Sequence, residues 1–428
     1  MNPQTRPLFR LAWPILLSNC TIPLLGLVDT AVLGHLPDGR YLAAVALGAV
    51  VFSFMYWGFG FLRMGTTGLA AQAWGLDDRQ GLGRIILQAF MLAILLGLAL
   101  QLLRPLAPLL LSLLDASPDA EQLAQGYVAI RLWSAPAVLA QYVVLGVAIG
   151  LGRTHVVLWL LVLGNGINIL LDLILVLGLG MTVNGVALAT LTAEVTAAIA
   201  GMIWLLLTCR ELKIPLQRPT PDPAAFKKML QVNADLFVRT LALLLALAFF
   251  TRQGAAQGNQ VLAANAVLMQ LVMLSSYLLD GFAQAVEGRF GNAFSRSHRE
   301  AKQVYQAGRL LSVITALVLT LAAWLSGEAL IHLLTDLDEV RELASTYLPW
   351  LWLLLPISMW CYLYDGVFIG ATWTAAMRTS LLISLAGYLV AWWLLQDYGN
   401  HGLWAAFIVF NALRGITLGW VFQRRFVI

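Results

Sequence analysis

The chain has 428 residues, of which 60% are hydrophobic and only 11% charged, with a formal net charge of +4. Mean hydropathy is +0.80. A soluble domain carries about 25% charged residues, so this composition excludes an ordinary soluble enzyme or binding module and describes an integral membrane protein.

Apolar stretches long enough to cross a ~30 Å hydrocarbon layer recur throughout the chain. They are uniformly hydrophobic rather than alternating, which implies helices and not a barrel. Twelve spans are expected, at residues 8–36, 42–74, 84–113, 121–151, 155–180, 184–209, 227–256, 261–294, 304–334, 341–371, 376–397 and 401–423. The first is too long for the apolar core of a signal peptide and contains an acid, so it reads as a retained span. Cys20, Cys209 and Cys361 fall within or at the ends of spans and give neither a disulfide framework nor metal-ligand spacing.

Basic residues segregate. Arg6, Arg79, Arg153, Lys227 and Arg299 are typical of those on one side, and only Arg40, Arg104, Arg252 and Arg341 face the other. This asymmetry predicts a bacterial inner-membrane protein with both termini in the cytoplasm. The basic pI is then explained by membrane anchoring, and nucleic acid is not an expected partner.

The chain repeats at a spacing of about 220 residues. "LAAVA" at 42–46 matches "LAANA" at 262–266, and Tyr127, Pro136, Tyr142, Gly146 and Gly150 match Tyr347, Pro356, Tyr362, Gly366 and Gly370. Both copies therefore carry GxxxG, a spacing that lets helix backbones approach closely. Six spans per copy make the repeat parallel. The expected organisation is an all-α polytopic fold of two pseudo-symmetric six-helix lobes around a central cavity. Residues 1–209 form an N-lobe, 210–225 a basic, proline-containing cytoplasmic linker, and 226–428 a C-lobe.

Acids at membrane depth cost several kcal/mol unless they are paired, neutralised or hydrated, and so point to function. Between Leu11 and Leu36 only Asp29 carries a formal charge. It lies ~28 Å along a helix from Arg10, in the outer half of the membrane, and Pro23 before it should bend the helix. In "NGINILLD", Asn165, Asn168 and Asp172 share one helical face. Thr190 lies at an overlapping depth in the next span, and Glu194 is one turn deeper on the same face. Asp29, Asn168, Asp172 and Thr190 offer oxygens that can hold a proton, because desolvation and a second acid both favour the protonated form, or that can coordinate Na⁺. A structural polar network between helices is the alternative reading. Glu194 either adds to the site or pairs with a neighbour.

In the second half, Asp280, Gln284 and Glu287 form a stripe on span 8, and Asp365 lies in span 10. These acids are candidates for a cationic substrate pathway or a secondary cation site. Asp235 and Arg239 are spaced to pair with each other. Arg63 either neutralises an acid or lines the cavity, whereas Arg131 and Arg414 read as structural. Met269, Met273 and Tyr277 offer adaptable apolar surface of the kind that suits varied lipophilic ligands.

No G-x-x-x-x-G-K-[ST], HExxH or GxSxG motif occurs, so neither nucleotide-driven transport nor hydrolytic enzyme chemistry is expected. No cofactor is implied beyond a coupling H⁺ or Na⁺, and a monomer is expected.

"PLLGLVDTAVLGHL", "FLRMGTTGLAAQAWG", "LDGFAQAVEG" and "YDGVFIGATWTAAMR" resemble the DinF subfamily of multidrug and toxic compound extrusion (MATE) transporters over essentially the whole chain. The resemblance implies secondary antiport of lipophilic, often cationic compounds against H⁺ or Na⁺. It places the cation site at Asp29, Asn168, Asp172 and Thr190. Span 7 has no acid at its centre, a departure from the NorM-like branch and its second-half Na⁺ site. The wider superfamily includes flippases of lipids and lipid-linked precursors, which is the rival function.

Overall fold

The computed structural model describes residues 2–34, 38–102, 104–112, 118–216 and 222–427; the side chains of residues 20, 22–31, 34, 39, 110 and 427 lie outside that description. Among the described residues every regular element is helical. In hydrocarbon there is no water to satisfy peptide groups, and helices satisfy them internally. Ten stretches of the described residues are long and apolar enough to span. The last of them, Thr374–Phe426, contains two helices, and the 30-residue helix α1 (Thr5–Gly34) stands outside those ten. The twelve expected spans thus all have helical counterparts.

The chain folds as two compact units. The first, Leu17–Met229, takes α1 from Leu17 onward. It continues through α2 (Gly39–Gly58), α3 (Phe61–Gly75), α4 (Arg79–Gln101), α5 (Ala107–Ser112), α6 (Pro118–Arg131), α7 (Ala135–Gly150), α8 (His155–Asp172) and α9 (Thr182–Glu211). The second comprises Met1–Leu16 and Leu230–Ile428. It holds most of α10 (Pro223–Ala256), then α11 (Asn259–Arg296), α12 (His298–Leu334), α13 (Asp338–Gly370), α14 (Thr374–Leu395) and α15 (Gly399–Phe422). The first sixteen residues join the second unit through specific contacts. Asn2 donates to the Gln303 carbonyl at 2.7 Å, and Arg289 donates to Gln4 Oε1 at 3.0 Å.

Three expected spans are not single helices. The 42–74 stretch breaks at Phe59–Gly60 into α2 and α3. Gly58 and Gly60, residues of poor helix propensity, flank the break. The 84–113 stretch stops being one helix at Gln101, because Pro105 and Pro108 remove backbone donors and leave a 3₁₀ turn and the short α5. The 121–151 stretch turns through 3₁₀ geometry at Leu132–Ser134, just before Pro136. In the other copy α13 runs on through Pro349 and Pro356.

The repeat is written in the contacts. A Cβ on Gly146 would lie 2.7 Å from the Arg63 carbonyl oxygen, and one on Gly150 would lie 3.0 Å from that of Thr67. Their counterparts Gly366 and Gly370 meet the carbonyls of Ala283 at 2.4 Å and Glu287 at 2.6 Å, the same partners shifted by one repeat length. Tyr142 donates to the Tyr56 carbonyl at 3.2 Å, and its counterpart Tyr362 donates to Ser276, the counterpart of Tyr56, at 2.6 Å. Helices α3 and α7 in one unit, and α11 and α13 in the other, thus cross with their backbones almost touching. After each GxxxG helix the chain turns through a positive-φ residue, Gly152 at 72° and Thr372 at 56°.

Overpacking such a crossing costs roughly 1–3 kcal/mol. Gly366→Leu is therefore expected to lower the thermal midpoint in detergent clearly. Gly166→Leu, at a glycine whose added Cβ meets nothing within 4 Å, should leave it near wild type. Equal midpoints for the two variants would show that the crossing does not hold the unit together.

Candidate functional site

Helix α8 ends at Asp172 and passes directly into a π-helical turn, Leu173–Gly178. Such widened turns put side chains off the regular helical register and recur at functional sites. Asn168 and Asp172, one turn apart, are 1% and 0% exposed. Thr190 on α9 faces them and is 6% exposed.

The Asn168 amide bridges the two helices. With its nitrogen towards Asp172 it donates to Oδ2 at 3.1 Å, while its oxygen faces the Thr190 backbone N–H at 3.3 Å and the hydroxyl at 3.2 Å. The Thr190 Oγ1 lies 2.9 Å from the Val186 carbonyl. Three of the four expected cation-site residues are thus brought together, with the Asn168 amide between the Asp172 carboxylate and Thr190. Asn165 is only half-buried and does not join them. Asp29, the fourth, belongs to α1, and its side chain lies outside the described residues, as does that of Pro23. Helix α1 is continuous through Pro23.

The second copy of the repeat shows what the same scaffold holds when it is not polar. Asp29, Asn168 and Asp172 correspond to Phe249, Tyr388 and Trp392. The turn before the last helix is three residues shorter there, so "VNGVALAT" (183–190) aligns with "NHGLWAAF" (400–407) and Thr190 corresponds to Phe407. These four aromatics pack together. Ring centroids are 5.3 Å apart for Phe249 and Tyr388, 6.4 Å for Phe249 and Trp392, and 6.1 Å for Tyr388 and Phe407, all near edge-to-face.

Glu194, one turn beyond Thr190, accepts a hydrogen bond from Arg131 at the end of α6. Arg131 also donates to the Tyr127 hydroxyl at 3.2 Å and lies 4.5 Å from the centre of the Phe52 ring. Glu194 is therefore paired with an arginine that is itself held against aromatic rings. Arg63 is half-buried on α3.

In the second unit, the expected pairing of Asp235 with Arg239 does not occur. Asp235 accepts from Arg378 at 2.6 Å and from Thr374 at 3.0 Å, both at the start of α14. Arg239 instead donates to Asp365, which also accepts from Arg414 at 3.2 Å. All three members of that cluster are less than a tenth exposed. Helical spacing allowed the Asp235–Arg239 pair, but packing against α13 and α14 offered each residue a partner with better geometry. Asp365 is accordingly a bridge between two guanidiniums, and the cluster keeps one surplus positive charge. Charge bookkeeping over the embedded arginines is the sequence signal that points to it.

Asp280 accepts from Gln284 at 2.6 Å, and Glu287 is 2% exposed on the same helix. Met269, Met273 and Tyr277 are half-buried along α11. Among the described residues no group of three or more His, Cys, Asp or Glu could hold a metal ion.

The MatE family model matches residues 14–174 and 238–393 of this chain. DNA damage-inducible protein F of Escherichia coli (strain K12) is 41% identical over 428 residues, covering 99% of this chain and 93% of that protein. Multidrug export protein MepA of Staphylococcus aureus (strain MSSA476) is 19% identical over 380 residues, covering 89% of this chain and 82% of that protein. A crystal structure of MATE in the bent conformation superposes with a TM-score of 0.90 at 22% identity, covering 99% of this chain and 96% of that one; this is a likeness of fold.

Removing the acid from the arginine cluster should expose its role. Breaking a buried ion pair by deleting one partner costs about 3–5 kcal/mol, because uncompensated charge stays buried. Asp365→Asn, which leaves Arg239 and Arg414 facing each other, is expected to lower the thermal midpoint far more than Asp280→Asn. Equal effects of the two substitutions would contradict the bridging role of Asp365.

Proposed function

The chain belongs to the MatE family, a multi-pass membrane transporter family, and on that premise we propose that it exports lipophilic and cationic compounds by antiport with H⁺ or Na⁺. The observation that carries this reading is the contrast between the two copies of the repeat. A purely structural network would be needed wherever the scaffold recurs. The second unit packs the same positions with four aromatic rings, so the first unit's carboxylates serve something other than packing.

Asp29 completes the site in this reading. The contacts of its counterpart Phe249 with the counterparts of Asn168 and Asp172 support this assignment. Ionised, Asp172 accepts the Asn168 N–H. With a proton or Na⁺ on the carboxylates, the amide turns its oxygen inward, and an all-oxygen set suits either ion. A protonated Asp29 tolerates close apolar packing of α1, whereas an ionised one draws in water or a cation. Two packings of different ion affinity are what coupling requires. Export then follows by alternating exposure of substrate to the two membrane faces.

Asp280 and Glu287 serve cationic substrates and not the coupling ion. Asp365, neutralised by two arginines, takes no cation. In proteoliposomes, Asp29→Asn and Asp172→Asn are each expected to abolish efflux driven by a pH or Na⁺ gradient while the protein still inserts. Glu287→Gln is expected to change the substrate profile and leave coupling intact. Wild-type efflux with unchanged ion dependence in Asp29→Asn would defeat the mechanism. Loss of coupling for every substrate in Glu287→Gln would reverse the roles of the two units.

The rival reading, flipping of lipids or lipid-linked precursors, draws on the surplus positive charge of the Arg239–Asp365–Arg414 cluster. It requires lipid translocation that persists without an ion gradient, which the same proteoliposomes measure.

The proposed location is the bacterial inner membrane with both termini in the cytoplasm, from the segregation of basic residues. A cysteine introduced at 335–337, between α12 and α13, should react with an impermeant reagent added to intact spheroplasts. Reaction only after permeabilisation would invert the topology.

A further inference from the structure

Two cavities flank the end of α15, both inside the second unit. One, of about 340 Å³, lies among Lys302, Tyr305, Arg309, Tyr364 and Phe426. The other, of about 550 Å³, is a groove between α14 and α15 that ends at Arg424 and Arg425. We propose that this groove is a binding site for an anionic phospholipid, with one acyl chain lying between the helices and the phosphate held by the two arginines.

The walls explain the chain. Helix α14 contributes small residues, Ala375 and Ala376, and α15 contributes Ile416, Trp420 and Val421. The hydroxyls of Ser380 and Thr417 bond to each other at 2.5 Å, and Thr417 also donates to the Leu413 carbonyl at 2.7 Å. The hydroxyls of the lining are thus paired within the protein, and the surface left between the helices, short of the two arginines, is apolar. Ile416, Trp420 and Arg424 follow one another at single-turn intervals, so the face changes from aliphatic to aromatic to cationic over ~12 Å of axis. That is the order in which a lipid presents methylenes, ester region and phosphate.

The charges explain the headgroup. Arg424 lies 3.8 Å from the centre of the Trp420 ring, and Arg425 lies 5.6 Å from that of Trp373. Stacking on tryptophan fixes each guanidinium and leaves its N–H fork free of the ring plane. Among the described residues neither arginine has a carboxylate within ion-pair distance, and no acid lines the groove. Arg378, the other cation near the start of α14, is already engaged by Asp235 at 2.6 Å. Lys302 and Arg309 in the neighbouring cavity add to the same positive field. Adjacent guanidiniums match a phosphate diester, and basic pockets between transmembrane helices select anionic headgroups. A zwitterionic lipid offers the same chain and phosphate, but its ammonium opposes this field.

Native mass spectrometry of the purified full-length protein, equilibrated with equal amounts of phosphatidylglycerol and phosphatidylcholine, tests the site. Wild type should retain phosphatidylglycerol preferentially. The double substitution Arg424→Ala, Arg425→Ala should lower that retention roughly tenfold or more, at about 1 kcal/mol per basic residue, and leave phosphatidylcholine unchanged. Arg424→Lys with Arg425→Lys should keep most of it. Ala376→Trp, which fills the groove and spares both arginines, should lower it as well, and glycerol phosphate should not compete. Thermal midpoints in lipid-free detergent show that each variant is folded. Wild-type retention in the double alanine variant would overturn the proposal. So would full retention in Ala376→Trp, or displacement by glycerol phosphate, since either reduces the site to a charge patch.

Discussion

The close backbone crossing of two helices is the constraint on which each unit depends. Without a hydrophobic force between helices in lipid, packing and short polar contacts must hold them together. A glycine at 366 lets α13 approach the Ala283 carbonyl, and a glycine at 146 does the same for α7 and Arg63. Once these pairs are fixed, neighbouring positions follow. The Tyr142 and Tyr362 hydroxyls reach equivalent points one helix away, and the chain leaves each crossing through a positive-φ residue at the same place.

A duplicated scaffold then permits two different contents. In the first unit the space between α8 and α9 holds an amide, a carboxylate and a hydroxyl, all buried. In the second the corresponding space holds a cluster of rings. Aromatic packing is the cheaper filling in a membrane, since buried polar groups are costly unless fully bonded. The first unit keeps the polar filling in spite of that cost, which is the ground for the coupling role proposed for it. It also sits beside a π-helical turn, where the helix is least regular.

Charge is handled differently in the two units. The Arg131–Glu194 pair sets one positive against one negative charge, with the guanidinium against Tyr127 and Phe52, whereas Asp365 balances only one of its two arginines. A buried carboxylate between two guanidiniums is well solvated by their donors and is poorly suited to attract a further cation. This separates Asp365 from Asp280 of α11, which is half-buried and one turn from the half-buried Tyr277.

Much of this was determined by the sequence alone. Hydropathy and charge define a helical membrane protein. The spacing of Gly146, Gly150, Gly366 and Gly370 marks the two crossings, and the one-turn interval between Asn168 and Asp172 puts them on one face. These are local or periodic properties, carried by the rise and turn of a single helix. Tertiary structure decided the pairings. Asp235 and Arg239 have ideal helical spacing, yet each bonds to a residue more than 120 positions away, Arg378 and Asp365. Glu194 finds Arg131 on another helix, and the rings of Phe249, Tyr388 and Phe407 meet across three helices. Spacing within a helix only permits such a contact. Whether it forms depends on which neighbouring helix removes water from the group and offers a better-placed partner, and no single segment of sequence contains that information.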